Sequence, residues 1–352
     1  MALDDLLLED PDIATSVNIG MPPREEVLCI DDLHVSVHGG LATAVRGVSL
    51  RVAAGETVGL VGESGSGKTL TCRAALGLLP AGCRVESGSV SFAGRDVTAA
   101  TRRTWENIHG SQVGAVFQDP ASYLNPSLTV GAQLAEVLRV KGRLSRQQAR
   151  QRALELFGDV GLHQPERVFH QIPAELSGGM LQRAMVAIAI SCGPRLLIAD
   201  EATTALDVTI QAEVIDLLLD LRRRNGLAVM FVSHDLAVVA ELCDRIYVFY
   251  AGQVVESGTV EDIVHRPRHP YTKALVRVAS GGDFRRRHLE VIPGSPPQVG
   301  TKMAGCTFAD RCHFALAPCF SADVRSVVIG DQHEVRCARA NDSELFDELL
   351  AV

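Results

Sequence analysis

Apolar positions along this chain follow two rhythms, and the switching between them predicts its elements. Thr57, Val58, Gly59, Leu60 and Val61 form a short apolar run, as do Arg195 to Asp200 and Leu227 to Val232. Such runs, bounded by turn residues, read as buried strands. Elsewhere the spacing is helical. Lys68 to Leu79 has it and is expected to stop at Pro80. Ser145 to Leu156 has it too, and Val208 to Arg224 carries Ile210, Val214, Leu217, Leu218 and Leu221 on one face until Asn225-Gly226 ends it. The two patterns alternate from about residue 26 to 260, which predicts an α/β layer fold. Residues 97–193 are richest in helical pattern and are expected to form a helical insert between core strands. Beyond Val264 the texture changes: His269-Pro270-Tyr271 and Ile292-Pro293-Gly294-Ser295-Pro296-Pro297 are turn-rich and read as turns. The expected organisation is a lead-in over 1–24, a main domain over 25–264 and a small C-terminal module over 265–352.

The segment joining the first strand to the first helix carries chemistry. It reads Gly62-Glu63-Ser64-Gly65-Ser66-Gly67-Lys68-Thr69, a complete phosphate-binding P-loop. Its glycines let backbone N–H groups turn inward around phosphates. Lys68 is expected to reach the β- and γ-phosphates, and the Thr69 hydroxyl to bind Mg²⁺. The start of the following helix adds a favourable dipole. The ligand named by this pattern is a nucleoside triphosphate with Mg²⁺.

Composition narrows the setting. Of 352 residues nearly half are hydrophobic, enough for a core, and no second P-loop or internal repeat is evident. The net charge of -8 argues against a general nucleic-acid binder. No apolar run reaches the roughly 18 residues of a membrane span, and the N-terminus is acidic where a secretory signal is basic. The expectation is a cytoplasmic chain that meets a membrane through a partner.

Two further stretches complete a nucleotide site. Leu196-Leu197-Ile198-Ala199-Asp200 ends a strand in a carboxylate suited to Mg²⁺, and Glu201 follows, placed to orient an attacking water or take its proton. Leu176-Ser177-Gly178-Gly179-Met180 precedes a helix, where a hydroxyl and free N–H groups form a second anion-binding surface.

With these motifs in order, the chain resembles the ATP-binding cassette (ABC) family over roughly residues 27–260. Gln118 in Phe117-Gln118-Asp119-Pro120 resembles the Q-loop glutamine, Ser177-Gly178-Gly179 the signature, Ala205-Leu206-Asp207 the D-loop, and His234 the switch histidine. The resemblance implies a dimer of cassettes with two ATPs at the interface. Lys68, Thr69, Gln118, Asp200, Glu201 and His234 would serve each ATP from one side, with Mg²⁺ at Thr69, Gln118 and Asp200, and Ser177 and Gly179 from the other. Two departures stand out: Met180 replaces the usual glutamine, and no aromatic residue occupies Val35-Ser36-Val37-His38, so Val37 or His38 would have to meet the adenine.

The C-terminal texture resembles the extension of oligopeptide and dipeptide importer ATPases. It implies a second, different ATPase subunit, two permeases and an extracytoplasmic binding protein, with the chain at the cytoplasmic face of the membrane. Nickel or another small solute is the alternative cargo. Cys306, Cys312, Cys319 and Cys337 are separated by five, six and seventeen residues. Without close zinc-knuckle pairs they suit a [4Fe–4S] cluster better than zinc, and the resemblance points the same way. His313 and His333 are spare ligand candidates. Other readings are a soluble ABC ATPase acting on nucleic acid and a scaffold with a silent site. The acidic charge and lack of large inserts oppose the first, and Glu201 and His234 oppose the second.

Overall fold

Three fully buried five-residue strands make the centre of the molecule. In the computed structural model the described residues are 25–202, 208–280, 291–301, 303–321 and 323–342. The expected lead-in, the D-loop Asp207 and the last ten residues lie outside them. The strands are β1 (Glu26–Val37), β2 (Ala42–Ala53), β3 (Thr57–Val61), β4 (Arg84–Phe92), β5 (Arg95–Asp96), β6 (Val113–Phe117), β7 (Leu196–Asp200), β8 (Ala228–Val232), β9 (Arg245–Tyr250), β10 (Gln253–Thr259), β11 (Val327–Val328) and β12 (Glu334–Val335).

They form two sheets. The larger has the order β11-β12-β10-β9-β3-β8-β7-β6. Its β9-β3-β8-β7-β6 portion is parallel, while β10, β12 and β11 continue it antiparallel. The smaller sheet, β2-β1-β4-β5, is antiparallel. Alternation decides which face goes where. Leu196 and Ile198 join the core shared with the small sheet. Leu197 and Ala199 point the other way, into the core shared with the helices. Because both faces are covered, β3, β7 and β8 read as continuous apolar runs. In β2, by contrast, buried Val48, Leu50 and Val52 alternate with exposed Ser49 and Arg51.

The helices confirm the pattern with instructive shifts. The first runs Lys68–Ala75, short of the expected Leu79. Gly77 stops it before Pro80 can: its φ is 65°, its N–H donates to the Ala74 carbonyl, and the Leu78 N–H donates to the Arg73 carbonyl. A Cβ there would lie 2.2 Å from the Trp105 ring, so only glycine fits. Ser145 caps the helix Arg146–Asp159 through a capping box with Gln148. The stretch 97–193 holds the helices Val130–Val140, Arg146–Asp159, Pro165–Phe169 and Gly178–Ile190, and also β6 of the large sheet. The turn-like His269-Pro270-Tyr271 opens a helix, Pro270–Ala279, capped by the His269 side chain with Pro270 in the first turn.

The C-terminal residues are sewn onto the sheet edge. Glu256 pairs with Val335 across β10 and β12, and the Arg336 N–H donates to the Val255 carbonyl at 2.8 Å. The buried Glu256 carboxylate accepts from the backbone of Arg268 and His269 and meets His333 Nε2 at 2.7 Å.

Candidate functional site

Strand register brings the separated motifs together. Phe117 of β6 lies beside Asp200 of β7, and Asp200 beside Val232 of β8. Leu60 of β3 pairs with the same Val232. The residues that follow these strands, Gln118, Glu201, Ser233-His234 and the P-loop, therefore emerge along one edge of the sheet. Carboxyl ends of parallel strands are where open α/β sheets hold ligands.

The P-loop is shaped by its glycines and packed from below. Gly62 has φ 146° and a Cβ there would meet the Phe249 carbonyl at 2.1 Å, while Gly67, at φ 102°, is the N-cap of the helix Lys68–Ala75. Ser64 and Gly65 form its exposed tip, and Ser66 is buried. The buried Lys68 ammonium donates to the carbonyls of Gly62 at 2.7 Å and Glu63 at 3.0 Å and to Ser66 Oγ at 3.3 Å. All three of its donors point into the mouth of the loop.

Electrostatics mark this mouth as unsatisfied. Burial pushes the Lys68 pKa down, against the pull of Glu201 and Asp200. Burial pushes Asp200 up, opposed by a hydrogen bond from Thr69, while the Glu201 charge raises it further. Thr69 Oγ1 donates to Asp200 Oδ1 at 3.1 Å. A buried cation and a buried carboxylate, each driven toward neutrality, are both relieved by a bound polyanion with its counter-cation. The oxygens of Thr69 and Asp200 are hard donors of the type Mg²⁺ takes.

Glu201 has a left-handed φ of 52°, and its N–H is held by the Val232 carbonyl at 3.0 Å. Strain of this kind concentrates at functional sites. Gln118 and His234 are exposed at the same edge. Ser177 lies apart: it caps the helix Gly178–Ile190, accepting from the Met180 N–H at 3.3 Å. Ser177 and Gly178 face solvent, whereas Gly179 is buried against Ile210, where a Cβ would be 2.8 Å from a methyl. Among the described residues no hydrogen bond joins this triplet to the P-loop. Of the two adenine candidates Val37 is buried, and His38 is exposed on the turn that also exposes Leu41.

The four clustered cysteines correct an expectation. Cys306, Cys312, Cys319 and Cys337 do line one space with His269, Phe308 and Phe314, but it measures about 10 Å³, room for one water at most. Among the described residues no group of three or more His, Cys, Asp or Glu side chains is placed to hold a metal ion. The [4Fe–4S] cluster is therefore not upheld, and zinc in the same residues falls with it. Burial among apolar groups also pushes Cys312 up to about 11 and Cys337 up to about 12, so in this arrangement they are neutral thiols. Cys319 Sγ accepts from the Leu316 N–H at 3.5 Å and Cys337 Sγ from the Arg339 N–H at 3.4 Å. The spare histidines are elsewhere: His333 pairs with Glu256, and His313 lines a separate cavity.

Sequence reasoning missed the partners of Glu63. Its carboxylate is gripped by Arg311 and its N–H donates to Tyr271 Oη at 2.9 Å. No local pattern signals contacts this distant in sequence.

A family profile described as ABC transporter matches residues 45–204, and one described as oligopeptide/dipeptide transporter, C-terminal region, matches 255–319. The dipeptide transport ATP-binding protein of Bacillus subtilis is 41% identical over 316 residues, 89% of this chain and 94% of the relative. The oligopeptide transport ATP-binding protein OppD of the same organism is 41% identical over 317 residues, 88% of each chain. The dimeric structure of a bacterial ABC transporter cassette superposes with a TM-score of 0.59 at 27% identity, covering 66% of this chain and 98% of that one.

Proposed function

The chain belongs to the ABC transporter family of ATP-binding subunits, and from that premise we propose that it is the ATP-hydrolysing subunit of a membrane importer for di- or oligopeptides. The observation that carries this is the shared edge: Lys68, Thr69, Asp200 and Glu201 converge there, while Ser177 and Gly178 face outward with no tie to their own P-loop.

In this reading the P-loop backbone from Gly62 to Gly67 and the Lys68 ammonium hold the β- and γ-phosphates, with Ser64 at the exposed tip and Ser66 buried beneath it. Thr69, Asp200 and Gln118 would hold Mg²⁺, which would supply positive charge to offset that of the phosphates. Glu201 orients the attacking water and accepts its proton. His234 contacts the γ-phosphate. Ser177, Gly178 and Gly179 meet the γ-phosphate of ATP held by a second cassette, with Asp207 assigned as the D-loop residue of the same pair. ATP then joins the two faces, and hydrolysis releases them. His38 and Leu41 are the exposed side chains available to the adenine.

The remaining partners follow the same reading. Leu128, Val140 and Phe169, interspersed with Glu136, Arg139, Arg146 and Arg150, line a groove of mixed apolar and charged character, about 720 Å³, in the helical layer. It fits a cytoplasmic loop of a permease. No helix among the described residues is long and apolar enough to cross a membrane. In this reading the chain works peripherally, at the cytoplasmic face beside two permeases, with an extracytoplasmic binding protein delivering the peptide. The residues from 265 onward form the C-terminal module of this branch.

The test is Ser177→Arg in the assembled transporter. Nucleotide binding by the separate chain is expected to persist, while peptide-stimulated ATP turnover falls at least about 100-fold, since a contact made only in the closed state is lost. Wild-type turnover would remove the two-cassette reading.

A further inference from the structure

The second residue of the P-loop is tied to a side chain from the cysteine-rich segment. Arg311 Nη1 donates to Glu63 Oε2 at 2.7 Å and Nη2 to Oε1 at 2.9 Å, a two-armed pair. The same guanidinium donates to the carbonyls of Pro293 at 2.8 Å and Ile292 at 3.0 Å and to Tyr250 Oη at 3.2 Å. All five donors are used. Its carbon lies 5.6 Å from the Tyr250 ring centre and 5.8 Å from that of Phe308, and the side chain is 5% exposed. Glu63 is held as fully: its carboxylate by Arg311, its N–H by Tyr271 and its carbonyl by Lys68.

We propose that Arg311 is a positioning residue for nucleotide binding, through which the C-terminal segment presets the P-loop. This deepens the nucleotide-site reading and rests on it. A loop with glycines at 62, 65 and 67 has many conformations to lose when phosphate binds. Fixing Glu63 on every polar atom removes much of that loss in advance, and preordering of this kind raises affinity without touching the ligand. Glu63 is also the residue whose carbonyl receives Lys68, so the restraint reaches the catalytic ammonium through one residue. Arg311 ends the turn Ala309–Arg311, between Cys306 and Cys312. The packing of that thiol-lined segment is thereby coupled to the affinity for ATP.

The test uses the full chain for equilibrium MgATP binding and the assembled transporter for kcat and KM. Arg311→Gln and Glu63→Gln are each expected to weaken MgATP binding about tenfold, from the loss of a charge-assisted pair. KM should rise with kcat nearly unchanged. Arg311→Lys, which keeps the charge and loses the fork, should fall between. The double substitution should be no more than about twofold worse than either single one, because the pair acts as a unit. A folded Arg311→Gln chain with wild-type Kd and KM overturns the proposal, as does a double variant whose losses multiply. If Arg311→Gln does not fold, Glu63→Gln decides alone: unchanged binding overturns the proposal, and tenfold weaker binding with KM raised at constant kcat supports it. A wild-type chain that binds no MgATP would instead sink the nucleotide reading itself, a different result from a wild type that binds and a variant that binds equally well.

Discussion

Reactive side chains crowd together in two regions of this molecule, with opposite consequences. At the sheet edge an ammonium, two carboxylates, a hydroxyl, an amide and an imidazole gather beyond the strand ends, Lys68 and Asp200 buried, Gln118 and His234 exposed. In the C-terminal segment four thiols gather around a cavity of about 10 Å³. At the edge, burial pushes Lys68 down and Asp200 up, so a charged ligand has something to relieve. Among the thiols burial acts with little opposition: Cys306, Cys312 and Cys337 are all pushed up, and no metal-holding group forms among the described residues. Convergence alone does not make a reactive centre. An accessible, electrostatically unsatisfied mouth does.

The sharpest way to break this contrast is Lys68→Ala. Losing a phosphate-directed charge in a low-dielectric mouth should lower ATP turnover by about 10²–10³, measured as phosphate release by the assembled transporter. The thiol region should not register the change. Next in size is thiol reactivity. With Cys312 at about 11 and Cys337 at about 12, iodoacetamide at pH 8 should modify both at least about 100-fold more slowly in the native chain than in the unfolded one, read by peptide mapping. Equal rates would show that the thiols are not withdrawn.

The smallest effect concerns His269, which lies beside that cavity and is held neutral. Burial keeps its pKa at about 3 against an ordinary 6.5. Between those values the unfolded chain binds a proton that the folded chain does not, so stability rises with pH across the window and is lost as pH falls below about 6.5. This residue should cost about 2 kcal/mol between pH 7 and pH 5. Its Nδ1 accepts the Tyr271 N–H at 3.1 Å, and its buried Nε2 has no partner among the described residues. His269→Asn keeps a cap and removes the titration, so its urea midpoint should depend less on pH over this range. An unchanged dependence would assign the acid sensitivity to other groups.

The edge was legible in the sequence because its determinants are local. A strand, a glycine-rich turn and a helix start are each written in a few adjacent residues, and parallel register then aligns Gln118, Asp200, Glu201 and His234 with little further choice. The helix end at Gly77 was missed because a left-handed glycine outranked the more conspicuous Pro80. The helix at Pro270 was read as turn because His-Pro serves equally as a cap and first-turn pair. The four cysteines misled for a different reason. Spacing shows that thiols can meet, but not how much room lies between them or whether they are ionised. The bond from Arg311 to Glu63 has no local signature at all, since it depends on how the C-terminal turn packs on Tyr250 and Phe308.

The most direct measurement is ATP hydrolysis by the assembled transporter carrying Glu201→Gln, with MgATP binding followed in parallel. Turnover is expected to fall by about 10²–10⁴ while binding stays within a few-fold of wild type. Turnover that survives the substitution would contradict the assignment of Glu201, and with it the claim that the sheet edge is where this chain cleaves ATP.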